Sequence, residues 1–155
     1  MSEVKRLRVL IRAIYRGPAW HGPPIRELLS DIDASTAAAH PIDGAHSIWE
    51  LVLHMTYWRR IVTEALDGGP VDEHPPEEAN WPAVEGPDPA AWQEAVDALE
   101  ASQQALLRRL KTFEDERLSE NVTDREYANY FMLHGVVQHD IYHSGQIALL
   151  KKAAG

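Results

Sequence analysis

Cysteine is absent from the 155 residues. Disulfides, thiolate metal sites, iron–sulfur clusters and a protein-thiol nucleophile are therefore excluded together. Positive charge is scarce: 15 Lys and Arg stand against 24 Asp and Glu, a net charge of −9 with a pI near 5.3. A surface of that sign does not neutralise phosphates, so no nucleic-acid partner is expected. No apolar run approaches the roughly 18 residues of a membrane span, and no membrane partner is expected either. The basic start, MSEVKRLRVLIRAIYRG, is interrupted by arginines and lacks a small-residue cleavage site after it. It does not read as a signal peptide, and a cytoplasmic location is the default expectation. Sustained period-2 alternation with β-branched enrichment is also missing, so no sheet is expected. There is no internal repeat and no low-complexity tract.

What is present is 45% hydrophobic content with five Trp and five Tyr, at a length suited to one core. A single domain over residues 1–155 is the expectation. Val4, Leu7, Leu10, Ile11 and Ile14 recur at helical spacing and predict a first helix from about Glu3 to Tyr15, stopped by Gly17-Pro18. Pro24 can open a short helix through Ile25, Leu28 and Leu29. Pro41, Asp43 and Gly44 mark a break. A long helix from about His46 to Leu66 ends at Asp67-Gly68-Gly69-Pro70. The segment from there to Asp88 is rich in Pro, Gly and Glu, with Trp81 as its large apolar residue. Its length marks it as a crossover connection or a cover for a site. Asp88-Pro89 is a strong helix start, an N-cap followed by Pro at the first helical position, and Trp92, Val96, Leu99, Leu106, Leu107 and Leu110 carry that helix to about Phe113. After a charged connection, Thr123 or Asp124 is expected to cap a last helix reaching about Lys152. The sum is an all-α chain, most simply a four-helix bundle with one short extra helix.

Eight histidines require an account. His139 and His143 are four apart, on one helix face one turn from each other, where two imidazoles can reach a single divalent ion. Random placement of eight histidines yields roughly 0.4 such pairs, so the spacing alone decides little. The face decides more. The stripe through both also holds Met132, Gly135, Val136, Tyr142, Gln146, Ile147 and Leu150. His54 lies on a comparable stripe of the second long helix with Leu51, Trp58, Ile61 and Ala65. Three imidazoles in an apolar layer are costly unless every nitrogen is satisfied, and one metal ion would satisfy all three. Three protein ligands leave a position open for water or substrate. Zn, Ni, Fe or Cu suits such an all-imidazole set. Glu50 and Tyr57 flank His54 and are candidate catalytic residues, as general base or as groups that orient the site. His134 points about 140° away from the pair, His74 lies in the Pro-rich segment, and His21, His40 and His46 sit at turns or helix starts. His-Glu-x-x-His, Glu-x-x-His, a Gly-x-Ser-x-Gly elbow and a phosphate-cradling loop are all missing.

The segments His46-Ser-Ile-Trp-Glu-Leu-Val-Leu-His54-Met-Thr-Tyr-Trp58 and Leu133-His-Gly-Val-Val-Gln-His139-Asp-Ile-Tyr-His143-Ser-Gly-Gln-Ile147 resemble the DinB/YfiT-like superfamily of metal-binding four-helix bundles. The resemblance implies a ligand His in the middle of the second bundle helix and a His-x-x-x-His pair in the last, which fall on His54, His139 and His143. It also implies a long crossover between the second and third main helices, frequent dimers, and in some members metal-dependent transfer or isomerisation with mycothiol, bacillithiol or glutathione. Three readings follow: a metal-dependent transferase joining a low-molecular-weight thiol to an electrophilic small molecule, a metal-dependent hydrolase using water, or a non-catalytic dimeric stress-response bundle with a structural ion. The last helix is apolar beyond its inward stripe, at Tyr130, Leu133, Val137, Ile141 and Ala148, and a homodimer interface is the expected second burial.

Overall fold

The computed structural model describes residues 1–155 and contains helices and turns with no strand. In chain order the helices are α1 (Glu3–Arg16), α2 (Ile25–Leu29), α3 (Ala34–Ala38), α4 (Ile48–Ala65), α5 (Glu77–Asn80), α6 (Pro89–Lys111) and α7 (Asn129–Ala153), with a 3₁₀ turn at Asp115–Ser119 before α7. The four long helices close a ring of contacts in which α4 packs on α6 and α7, and α1 packs on the same two. This is the four-helix bundle, and residues 66–88 form the crossover between its second and third members.

Local chemistry explains the boundaries. Ser47 Oγ accepts from Glu50 N–H (3.1 Å) while the Glu50 carboxylate accepts from Ser47 N–H (2.6 Å), a reciprocal capping box that starts α4. Asp88 accepts from the amides of Ala90 and Ala91, and Pro89 fits the first turn, so α6 begins where that dipeptide indicates. Inside, Trp92, Ala95, Leu99, Leu106 and Leu110 of α6 meet Leu51, Val52 and Met55 of α4 and Leu7 and Ile11 of α1 in one buried apolar cluster.

Four details differ from the sequence-based expectation. α3 lies where no apolar period is visible, held by Asp33, whose carboxylate accepts from Thr36 N–H (2.8 Å). The crossover contains α5, a single turn. The charged connection coils into the 3₁₀ turn, where the Asp115 carboxylate accepts from the amides of Glu3 and Val4 and caps α1 from outside. The last helix starts at Asn129, about five residues later than the Thr123/Asp124 cap would place it. Those residues instead form a turn closed by an antiparallel bridge between Asn121 and Ala128, with Asp124 in the left-handed region (φ 59°). A capping-type residue had been claimed by a turn, which the same chemistry favours.

No helix is long and apolar enough to cross a membrane. On the outer row of α7, Leu133 and Val137 are buried within the chain itself, while Tyr130 and Ile141 remain exposed.

Candidate metal centre

α4 and α7 lie side by side, and this brings His54 to His139 and His143. The three Nε2 atoms face one another: His54 to His139 is 3.1 Å, and His139 to His143 is 3.1 Å. One ligand atom from each lies within 4.8 Å of the others, so the three could hold a single ion.

The remaining nitrogens fix the tautomers. His54 Nδ1–H donates to the backbone carbonyl of Asn80 (2.9 Å), and His143 Nδ1–H donates to Gln146 Oε1 (2.6 Å). Carbonyl oxygens only accept, so both rings carry their proton on Nδ1 and aim an Nε2 lone pair at the common point. A proton on His139 Nε2 can serve only one of its two neighbours, which leaves one pair of lone pairs opposed. A divalent cation relieves both contacts. Donor pairs on such an ion, with bonds of about 2.0–2.1 Å, stand roughly 3.3 Å apart in tetrahedral geometry. His139 Nε2 stands close to that distance from the other two Nε2 atoms, at 3.1 Å from each. The outer N–H groups of His54 and His143 are held as metal-ligating histidines usually hold them, whereas His139 Nδ1 has no hydrogen-bond partner. The residues present fit the group.

Burial keeps two of the rings uncharged. It pushes His54 down to about 4 despite the Asn80 carbonyl, and it pushes His143 down to about 4, helped by the neighbouring His139. Neutral imidazole is the ligating form, so neither ring has to lose a proton at neutral pH.

The crossover closes one side. Trp81 stacks on His54 with centroids 3.8 Å apart and on His46 at 3.5 Å, both nearly parallel, so its indole lies between two imidazoles. Next to it, the Asn80 side chain accepts from Trp58 Nε1–H (2.9 Å). Adjacent to His139, Asp140 forms a fully buried ion pair with Arg59 of α4 (2.7 Å), and the Arg59 guanidinium lies 5.3 Å from the Tyr15 ring centroid. Asp140 Oδ1 is 3.8 Å from His139 Nδ1. A pair spanning 81 residues thus locks α4 to α7 beside the imidazoles.

Glu50 and Tyr57 are placed differently from the three histidines. The Glu50 carboxylate serves the capping box and accepts from His40 Nε2–H (3.0 Å), with His46 at 3.6 Å. Tyr57 packs against Trp58 and under the Arg60 guanidinium. Neither makes a hydrogen bond to an imidazole of the cluster. His40 and His46 gather around Glu50, His134 packs at a tilt against Tyr130, and His21 and His74 are exposed.

Sequence reasoning did not assign roles to Asn80, Trp81, Gln146, Arg59 or Asp140. Trp81 was visible as a large apolar residue in a polar segment. Gln146 shared the histidine stripe three residues after His143. The Asn80 contact uses backbone, which no side-chain pattern encodes, and Arg59 carries the chemistry of a surface residue.

A family profile described as the DinB superfamily matches residues 24–147. No curated protein and no solved structure matches the chain.

Proposed function

We propose that this chain, which belongs to the DinB superfamily, is a metal-dependent transferase that joins a low-molecular-weight thiol to an electrophilic small molecule. The observation that supports it best is the convergence of three Nε2 atoms, two of them with their tautomer fixed from behind. When bound there, a divalent ion supplies Lewis-acid activation, lowering the pKa of a thiol at its open position.

The chain's own contribution is arrangement. His54, His139 and His143 hold the ion, and Asn80 and Gln146 orient two of them. Trp81 shields the His54 side from water, so access runs along His139, whose side chain keeps about a quarter of its surface exposed (25%). The absence of cysteine leaves no internal thiolate to compete for the open position.

Metal analysis of the purified protein beside His139→Ala tests the centre. About one divalent ion per chain in the parent and a loss in the variant are expected, and equal content in both would remove the centre. Thermal-shift titration with mycothiol, bacillithiol and glutathione, with and without metal, tests the reaction class. Stabilisation by one thiol only in the loaded protein is expected. No response to any thiol, with metal removal merely lowering the melting temperature, would leave a structural ion.

A further inference from the structure

Beside the imidazoles lies a cavity of about 290 Å³ between α4, α7 and the chain around Val71, with His139 in its lining. Its walls are Trp58 and Val62 on one side and Phe131, Met132 and Val136 on the other. The polar side chains on it are His139 and the rim residue Glu73, together with the Tyr127 hydroxyl; no lysine or arginine lines it. Just outside the lining, Arg125 donates to the Val71 carbonyl.

Gly135 lines this space. Six of the nine glycines take positive φ values, and a Cβ on Gly69 would come within 2.9 Å of the Glu64 carbonyl oxygen. Those glycines have backbone reasons. Gly135 has neither reason: it is mid-helix, and a Cβ there would meet no atom within 4 Å. Gly145 is alike in this but is exposed, whereas Gly135 lines the cavity one turn before His139. A glycine weakens a helix interior, and here the room its missing side chain leaves opens into the cavity.

Building on the transferase reading, we infer that this cavity takes the apolar body of a substrate of about one ring's size, and that a large side chain at position 135 would fill it. An apolar cavity of about 150 Å³ already holds benzene, so the space suits a monocyclic body with room for a substituent directed at His139.

The test uses benzyl alcohol as probe, titrated into isotope-labelled protein while the Gly135 amide and the Met132 methyl are followed by NMR. In the parent chain saturable shifts at both positions are expected, in the millimolar range. Gly135→Ala should retain them. Gly135→Phe, and Gly135→Leu where Phe disrupts folding, should weaken binding tenfold or more while taking up the same amount of metal as the parent. Shifts that do not saturate, or equal binding by the filled variants, would overturn the inference. Metal content is read independently, so loss of the metal centre and loss of the cavity's role register as separate results.

Discussion

Gln146 shows how much of a metal centre can lie outside its ligands. Its side-chain oxygen holds the outer N–H of His143 at 2.6 Å. Gln146→Leu keeps all three imidazoles and removes that acceptor; metal affinity should fall about 10–100-fold, read by competition with a chelator of known affinity. Arg59 carries a different cost. It is 0% exposed against Asp140 at 1%, so Arg59→Met strands a buried carboxylate and should destabilise the fold by about 3–5 kcal/mol in urea titration. Arg59→Met with Asp140→Leu should recover most of that loss, because no unpaired charge is left inside. Neither residue could be read from sequence as part of the site. Gln146 sat on the right stripe, but hydrogen bonding to His143 depends on side-chain rotamers, and an arginine 81 positions from its partner looks like any solvated one.

Among the elements, α4 is the one on which site and fold meet. The capping box at Ser47 fixes where it starts, about one turn and a half of helix ahead of the turn that carries His54. Ser47→Ala should cost about 1 kcal/mol in thermal or urea unfolding, and Glu50→Gln should cost less because an amide can still accept from Ser47 N–H. The long helices were legible because their apolar residues repeat at helical spacing and because Gly17-Pro18 and Asp88-Pro89 punctuate them. α3 was not: its Ala-Ser-Thr-Ala-Ala run has no apolar stripe, and it is held by one Asp cap and by packing on α4 and α6. The start of α7 was misread because Thr123 and Asp124 serve a turn as well as they would serve a helix. The His-x-x-x-His pair was legible as a pattern, but its meeting with His54 depends on α4 and α7 being neighbours, which spacing within one helix does not encode.

For the molecule as a whole, the two buried imidazoles tie stability to pH. In the folded chain His54 and His143 protonate only near pH 4, against an ordinary value of 6.5. Below 6.5 the unfolded chain binds protons at these positions that the folded chain refuses. Their contribution is therefore complete above pH 6.5 and is lost as pH falls toward 4. The melting temperature of metal-free protein should decline across that window, and a His54→Leu/His143→Leu variant should decline less steeply. Asp33 and Asp115, held low chiefly by the amides of Thr36 and Val4, act in a window below this one. An equal slope in both proteins would mean that the imidazoles are not the source.

Because the crossover reaches His54 through a main-chain oxygen, the Asn80 carbonyl, side-chain replacement at position 80 leaves that contact in place, but cutting the chain there does not. Loading with metal should accordingly slow nicking by a glutamate-specific protease at Glu77, Glu78 and Glu85. A nicked chain should release its ion faster than an intact one.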